Sequence, residues 1–301
     1  MQGKQSQPWH QRPIIFVSGK GGVGKSLIAA GLAKNLAAQG RKVLLAELGE
    51  TSYYKDFWNL SAVGHDPVRH KDGFDLALWS GETSLHEYVL HYLKLERLVN
   101  LFFENRVMKA LVNVAPGLAE IAIVGKITSG LRKVGPAMNY DVIVVDCYAT
   151  GHAEALLSAP AGMKEAIGVG PMGHHSREMD AVLRNENLCS YVVVTLLEEL
   201  PVTETVEFAK SLKSRLGVTC EVVANKVVPH PVEDTELERV GNSDSPHLKE
   251  FTEYLLGIGK RQRRYLEVLR GVGRSLTIVP LIFATEPDRL IAKTGEALRA
   301  P

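Results

Sequence analysis

The sequence predicts an α/β protein in which a doubly wound, mostly parallel sheet is flanked by helices on both faces. Short runs rich in Val and Ile alternate with longer helical patterns, as in repeated βαβ units. The strand-forming runs are almost continuously apolar, which is typical of strands buried on both faces. A glycine-rich segment joins the first such run to the first helical pattern. Together these observations predict a three-layer sandwich.

The composition is that of an ordinary globular protein. The chain has 301 residues, of which 45% are hydrophobic and 23% charged, enough for one large α/β core or two small ones. The formal net charge is +1, and Lys and Arg are spread along the chain. No nucleic-acid partner is therefore expected.

The distribution of apolar residues and cysteines indicates the compartment. No run approaches the roughly 18 uncharged apolar residues of a membrane span, and the first dozen residues lack the apolar stretch of a signal peptide. The three cysteines, Cys147, Cys189 and Cys220, form neither a CxxC pair nor a spaced ligand set. We expect a cytoplasmic protein with no integral membrane segment.

Six runs are the clearest strand candidates. They cover residues 14–18, 42–47, 141–146, 190–195, 219–224 and 276–280.

A helical stretch at about residues 83–135 interrupts the alternation of strands and helices. Its first part, from Leu85 to Met108, carries more apolar residues than one core-facing stripe needs. This surplus predicts either two buried faces, or one core face and one face for a client or partner. Since no repeat or low-complexity linker divides the chain, residues 1–301 are predicted to form one domain with a helical subdomain at 83–135.

A phosphate-binding loop is predicted between the first strand and the first helix. Residues 19–26 read G-K-G-G-V-G-K-S and match G-x-x-x-x-G-K-[ST], directly before the helix-forming run 27–38. The loop N–H groups and the helix N-terminus would hold phosphates, Lys25 would reach the β- and γ-phosphates, and Ser26 would ligate Mg²⁺. The predicted nucleotide contacts are Gly19, Lys20, Gly21, Gly22, Val23, Gly24, Lys25, Ser26 and Leu27.

A carboxylate ends the third of these candidate strands. Asp146 follows the apolar run Val142–Val145 and is placed to hold Mg²⁺ through water. The alternative for Asp146 is a structural cap at the strand end.

The second lysine of the loop, Lys20, carries a family resemblance. The loop resembles the deviant Walker A motif of the class that contains ParA, MinD, the nitrogenase iron protein and ArsA. In that class the early lysine crosses to the nucleotide of a partner subunit. The resemblance implies a P-loop NTPase fold that binds ATP and Mg²⁺, and a dimer closed by ATP with Lys20 among its catalytic residues. The alternative is that Lys20 contacts only its own chain.

Three further segments are similar to the ArsA and Get-type (tail-anchor targeting) ATPases. Residues 146–152 resemble the D-x-x-P-T-G-H switch II, with Ala149 in place of the proline. Residues 115–120 match A-P-G-x-x-E, and residues 196–205 match a segment that ends P-x-x-E-T. The resemblance extends from about residue 13 to 228 and is closest to single-domain bacterial ArsA-like ATPases.

The same resemblance assigns the adenine contacts. Asn225 stands where the family places an asparagine whose amide reads the adenine edge, although a strand-end cap is the alternative. Pro280 begins a segment, 280–286, that resembles the adenine-flanking loop more loosely.

The resemblance fails in switch I. Gly49 occupies the position of the family's water-positioning aspartate. Glu50 is the first candidate for a displaced catalytic base and Glu47 the second, while an exposed glutamate without a role is the alternative. Slow hydrolysis is expected, because phosphoryl transfer leaves few other tasks to the protein.

These features predict a nucleotide-switched dimer, formed with itself or with a paralogue, that binds a hydrophobic client such as a membrane-protein helix. One rival is a ParA- or MinD-like positioning ATPase. A second is a regulatory subunit without turnover, which the Gly49 departure favours. No arsenite site is expected, since the cysteines are not clustered.

Overall fold

The structure is a computed structural model. It describes residues 8–299 except 94–116, 136–137, 168, 230–233 and 243–244.

The centre of the molecule is one eight-stranded sheet in the order β3-β4-β2-β5-β1-β6-β7-β8. The strands are β1 (Ile14–Gly19), β2 (Val43–Leu48), β3 (Val68–Arg69), β4 (Asp75–Trp79), β5 (Val142–Asp146), β6 (Cys189–Thr195), β7 (Glu221–Val227) and β8 (Leu276–Pro280). All neighbours are parallel except β3 and β4. The predicted fold class and all six predicted strands are confirmed.

Helices cover both faces of the sheet. They are α1 (Lys25–Ala38), α2 (Tyr53–Phe57), α3 (Gly81–Leu93), α4 (Leu118–Arg132), α5 (Thr150–Ala166), α6 (Gly170–Leu183), α7 (Glu199–Leu216), α8 (Asp234–Gly241), α9 (Pro246–Arg270) and α10 (Pro287–Ala297). A short 3₁₀ helix, Trp9–Gln11, precedes β1.

The two faces of the sheet build two separate cores. Along β1, Ile14 and Phe16 point to the core that α4, α5, α6 and α7 cover. Ile15 and Val17 point to the core that α1 and α10 cover. Side chains alternate along a strand, so a continuously apolar run serves both cores. Because β1 lies between β5 and β6, its carboxyl end is the switch point of the doubly wound sheet, where ligands bind in such folds.

The helices α3 and α4 occupy the two ends of the predicted helical stretch. On α4, nine consecutive residues from Ile121 to Ser129 are buried, so this helix is covered on more than one face. Leu85 and Ala122 pack together where α3 meets α4. The predicted apolar positions from Tyr92 to Met108 lie outside the described side chains. The assignment of a single domain stays a prediction.

A buried lysine joins the two helices to the rest of the fold. The ammonium group of Lys126 on α4 pairs with Glu87 on α3, and only 8% of the lysine side chain is exposed. The Nζ of Lys126 also lies 2.7 Å from Nε2 of His65 and 5.1 Å from the ring centre of Trp79. The buried charge is thus compensated by an ion pair and an aromatic face, with the His65 ring beside them.

Two glycines let α1 and α10 cross closely. A Cβ atom added at Gly31 would lie 2.9 Å from Cγ2 of Thr294, and one added at Gly295 would lie 2.7 Å from the Gly31 carbonyl oxygen. Both distances are shorter than van der Waals contact, so neither position accommodates a larger residue without movement. The helix that follows the predicted phosphate loop is therefore held by the last helix of the described chain.

Candidate nucleotide site

The loop between β1 and α1 has the backbone of an anion-binding turn. β1 ends at Gly19 and α1 begins at Lys25, so residues 20–24 make the connection. Gly22 and Gly24 adopt left-handed φ angles of 83° and 94°, which L-residues with side chains avoid. The spacing of glycines in the sequence therefore follows from the conformation of the turn.

The N-terminus of α1 is open to a ligand. Its N-cap is Gly24, so no side chain accepts a hydrogen bond from the first turn. The free N–H groups and the positive end of the helix dipole meet at the carboxyl end of β1. This arrangement suits a phosphate group.

Lys25 lies over this loop. Its Nζ donates a hydrogen bond to the Lys20 carbonyl oxygen at 3.2 Å. Burial lowers the pKa of Lys25, while the nearby carboxylate of Asp146 acts in the opposite direction. A phosphate in the loop would supply further negative charge beside this partly desolvated ammonium group.

Asp146 lies at the carboxyl end of the central strands. It is the last residue of β5, only 5% of it is exposed, and it pairs in register with Val17 on β1 and Glu47 on β2. Two carboxylates thus stand side by side on adjacent strands, next to the predicted phosphate loop.

Hydrogen bonds compensate for the burial of Asp146. Its Oδ2 accepts a hydrogen bond from the Tyr54 hydroxyl at 2.9 Å. Burial raises the pKa of Asp146, and the side chains of Ser26, Tyr54 and Lys25 oppose that rise. The structure therefore brings Lys25, Ser26 and Asp146 together.

The Ser26 hydroxyl and the Asp146 carboxylate fit Mg²⁺. This ion prefers oxygen ligands and is commonly bound through one or two protein groups together with phosphate oxygens. The Tyr54 hydroxyl lies 2.9 Å from both the Ser26 carbonyl oxygen and Asp146 Oδ2, so the two residues are neighbours and both can contribute to one coordination sphere.

The two candidate bases lie in different environments. Glu47 is buried, and its carboxylate accepts hydrogen bonds from Ser52 Oγ at 2.5 Å and the Tyr53 N–H at 2.6 Å. Burial raises the pKa of Glu47 despite these bonds. Glu50 is exposed on the loop, near Tyr148, whose pKa is raised to about 12 by burial and by the Glu50 charge. The carboxylate of Glu50 is thus more accessible to solvent than that of Glu47.

Tyr54 is the first of two residues whose place in this site the sequence did not predict. It is fully buried on α2, and its hydroxyl lies 2.9 Å from both the Ser26 carbonyl oxygen and Asp146 Oδ2. Neighbouring tyrosines at 53 and 54 were the only signal, and nothing in the sequence distinguishes the buried one from the exposed one.

Lys20 contacts its own chain in this structure. It forms an ion pair with Glu204 on α7, and the other carboxylate oxygen of Glu204 accepts a hydrogen bond from Thr150 Oγ1 at 3.3 Å. Three segments that carry the family resemblance meet here: the P-loop, the T-G-H element and the P-x-x-E-T segment. Glu204 is a second residue whose place in the site the sequence did not predict.

The start of switch II keeps the backbone of the family motif. Ala149, at the N-cap of α5, has a φ of −60° and a ψ of 159°. Proline fixes φ near −65°, so the alanine adopts the angle that the family's proline would impose. The substitution removes rigidity from this position without changing its conformation.

Asn225 lies beside the P-loop. Its Nδ2 donates to the Val23 carbonyl oxygen at 2.8 Å, and its Oδ1 accepts from the Lys226 N–H at 2.9 Å. A Cβ atom added at Gly24 would lie 2.4 Å from that Nδ2, so this position of the Asn225 amide requires glycine at residue 24. An amide has a second N–H and a second lone pair, which leaves capacity for a ligand.

An irregularity in β7 places Asn225 there. The register with β8 shifts between Ala224 and Val227, and Lys226 has a left-handed φ of 53°. Such bulges redirect side chains at strand ends. Pro280, at the end of β8, is the register partner of Val227 on the far side of this bulge.

A cavity of about 540 Å³ opens next to Asn225. Its walls are Asn225 and Lys226, residues 196–198 between β6 and α7, Glu199 at the start of α7, and side chains of α9 that include Tyr265. This volume lies within the range of about 300–1,000 Å³ that is typical of small-molecule pockets.

The other sequence predictions have these outcomes. All three cysteines are buried and unpaired. No helix within the described ranges is long and apolar enough to span a membrane. Of the A-P-G-x-x-E element, Ala115 and Pro116 lie outside the described residues, and Glu120 lies in the first turn of α4.

Comparison with known proteins identifies relatives of this chain. The model of the anion-transporting ATPase family, ArsA, matches residues 12–170. The ATPase BagA of Mycobacterium tuberculosis is 30% identical over 258 residues, which cover 80% of this chain and 74% of the relative.

Two relatives are named as arsenical pump-driving ATPases. The one from Halobacterium salinarum is 27% identical over 267 residues, 82% of this chain and 40% of that protein. The one from Aquifex aeolicus is 24% identical over 280 residues, 82% of this chain and 91% of that protein. With its P-loop, its doubly wound sheet and these matches, the chain belongs to the anion-transporting ATPase (ArsA) family.

Proposed function

We propose that this protein is a cytoplasmic ATPase that binds Mg-ATP in the P-loop and works as a dimeric, nucleotide-controlled switch. The observation that carries the proposal is the convergence of Lys25, Ser26 and Asp146 at the open N-terminus of α1. Each is the residue type that binding of a magnesium-bound triphosphate requires at its position.

The groups of this chain have distinct tasks in the proposed reaction. The loop N–H groups bind the phosphates, and Lys25 neutralises charge on the transferring group. Ser26 and Asp146 would hold Mg²⁺, which would supply positive charge beside the phosphates. Glu50 is the first candidate to orient water because it is exposed, while Glu47 is engaged by Ser52 and Tyr53.

The nucleoside would extend from the loop toward Asn225 and Pro280. Support comes from the contact between Asn225 and the loop and from the cavity beside it. The remaining donor and acceptor of the Asn225 amide match the paired donor and acceptor on the adenine edge.

In the proposed dimer, Lys20 reaches the nucleotide of the partner subunit. The lysine would first have to leave Glu204, and this exchange would couple nucleotide binding to subunit contact. A cation supplied in trans stabilises negative charge in the transition state, as an arginine finger does.

The proposed output is the binding of an apolar client, such as a membrane-protein helix. The support is the surplus of apolar residues from Leu85 to Met108 and the family resemblance to tail-anchor targeting ATPases. Metalloid transport, which the names of two relatives suggest for those proteins, is not part of this proposal because the three cysteines are separate and buried.

The test combines calorimetry, hydrolysis and mass in solution. We expect the wild type to bind Mg-ATP, hydrolyse it slowly and dimerise with it. Lys25→Ala should lose binding, whereas Lys20→Ala should bind ATP but lose dimerisation and turnover. Glu50→Gln should lose turnover alone. Lys42→Ala, at an exposed lysine away from the loop, is the control.

Two results would contradict the proposal. A wild-type chain without nucleotide affinity would remove its basis. A chain that binds ATP but neither turns over nor dimerises would favour a regulatory subunit that requires a paralogue, in agreement with Gly49 in switch I.

The client is tested separately. A labelled 20-residue Leu/Ala helix peptide should bind more tightly in one nucleotide state than in the other, as measured by fluorescence anisotropy. The same peptide with two central lysines is the control. Equal affinity in both states would contradict a nucleotide-controlled client site.

A further inference from the structure

Tyr54 is fixed in the wall of the magnesium site. No part of it is exposed, and its ring stacks on Trp58, with 5.2 Å between ring centres and an interplanar angle of 22°. The hydroxyl is thereby directed at Asp146 Oδ2 and the Ser26 carbonyl oxygen, both 2.9 Å away. These are groups of the two residues assigned to Mg²⁺.

A phenol has one proton to donate, and the two oxygens compete for it. A carboxylate is the stronger acceptor because hydrogen bonds to charged groups are shorter and stronger than neutral ones. Asp146 therefore receives this hydrogen bond, and the carbonyl of Ser26 remains a secondary contact.

The segment that carries Tyr54 is anchored on two neighbouring strands. The N–H of Tyr53 and the Ser52 hydroxyl both bond to Glu47 on β2, while Tyr54 bonds to Asp146 on β5. Glu47 and Asp146 are register partners, so the segment that carries α2 is hydrogen-bonded to two adjacent carboxylates.

We propose that Tyr54 is a positioning residue for Mg²⁺: its hydroxyl holds the Asp146 carboxylate in the orientation that the ion requires and couples it to α2. This inference rests on the proposed function. Residues that orient metal ligands from outside the coordination sphere typically change metal affinity by 10–100-fold when they are removed.

The adjacent tyrosines provide a matched pair for the test. Tyr54→Phe removes only the buried hydroxyl, and Tyr53→Phe removes the hydroxyl of a side chain that is 46% exposed. The affinity for ADP is measured by calorimetry in EDTA and in MgCl₂. The ratio of the two affinities gives the contribution of Mg²⁺ without any need for turnover.

For Tyr54→Phe we expect this ratio to fall by about tenfold. The affinity in EDTA should stay within about twofold of the wild type, and Tyr53→Phe should match the wild type in both media. A ratio unchanged or raised in Tyr54→Phe overturns the proposal. Equal losses in EDTA and in MgCl₂ also overturn it, since they indicate a general loss of structure.

A double-mutant cycle separates positioning from structure. In an Asp146→Asn background, Tyr54→Phe should cause little further change in the Mg²⁺ ratio, whereas an independent role would give the same loss in both backgrounds. If Tyr54→Phe does not fold, 4-aminophenylalanine at position 54 retains a weaker donor. A partial loss then supports the proposal, and a wild-type ratio overturns it.

The failure of this inference is distinguishable from the failure of the proposed function. If wild-type protein binds no ADP, the proposed function is wrong and the inference falls with it. If wild-type protein binds ADP more tightly with Mg²⁺ and both tyrosine variants do the same, only the role of Tyr54 is wrong.

Discussion

Lys20 of the P-loop is bound to Glu204 of its own chain, although the family resemblance assigns this lysine to the nucleotide of a neighbouring subunit. The ion pair bridges the P-loop and α7, and Thr150 shares the same carboxylate. The lysine that the family resemblance assigns to a subunit contact is thus held in a competing contact within its own chain.

Weakening this contact should favour association. For Glu204→Gln we predict an ATP-dependent dimer that is about two- to thirtyfold tighter, because each of the two subunits loses a partly exposed ion pair that contributes about 0.2–1 kcal/mol. Sedimentation velocity with Mg-ATP measures the change, with Glu207→Gln at an exposed position on the same helix as the control. Weaker association would mean that Glu204 acts at the subunit contact itself.

The P-loop glycines differ in what they tolerate. Gly24→Ala should lower the free energy of unfolding by about 1–3 kcal/mol without nucleotide, because φ is 94° and the new Cβ meets the Asn225 amide. Gly21→Ala should change it by less than about 0.5 kcal/mol, since nothing lies within 4 Å of its Cβ position. Urea denaturation distinguishes them, and equal effects would contradict the loop geometry.

At the crossing of α1 and α10, replacing a helical glycine by alanine should destabilise the protein, the opposite of the usual effect. Alanine normally stabilises a helix relative to glycine by about 0.5–1 kcal/mol, and Gly257→Ala in open space on α9 should do so. Gly295→Ala should instead destabilise the protein by about 1–3 kcal/mol, because its Cβ would lie 2.7 Å from the Gly31 carbonyl. Thermal and urea unfolding measure both, and stabilisation by Gly295→Ala would disprove the close crossing.

The Glu87–Lys126 pair predicts a pH-dependent stability. Burial alone would raise the pKa of Glu87, but hydrogen bonds with His65 and Lys126 hold it below 4.5. A carboxyl group whose pKa is lowered in the folded state stabilises the protein at pH values above its unfolded pKa of about 4.5. This contribution is lost as the pH falls through the lowered pKa of the folded state.

Glu87→Gln should therefore lower the free energy of unfolding by about 1–3 kcal/mol at neutral pH, and the difference should shrink in acid. Urea denaturation at pH values from neutral to acidic measures the difference in the free energy of unfolding between variant and wild type. Glu165→Gln, at an exposed site, is the control. A difference independent of pH would show that the loss is one of packing and not of charge.

The fold was predictable because its signals are local. Six strands are runs of apolar residues, and the P-loop is a contiguous motif between a strand and a helix. β3 and β4 were missed for a related reason: β3 has two exposed residues, and β4 is a five-residue strand with partly exposed positions after an irregular segment. Neither stands out against loop sequence.

The site was only partly predictable because its missing contacts join distant residues. Tyr54 meets Asp146 across 92 positions, and Lys20 meets Glu204 across 184. Neither a periodic pattern nor a motif predicts such contacts, because they depend on the positions of β5 and α7 in the folded protein. The family resemblance supplied Lys20 and Asn225, but not the side chains that hold them in this chain.

The glycine crossing between α1 and α10 also has a consequence for biosynthesis. The helix that begins with Lys25 leaves the ribosome long before its packing partner, Gly295, has been translated. Until then the face of α1 that carries Gly31 and Asn35 lacks the cover that it has in the native structure. The proposed nucleotide site is therefore expected to reach its native packing only after most of the polypeptide has been made.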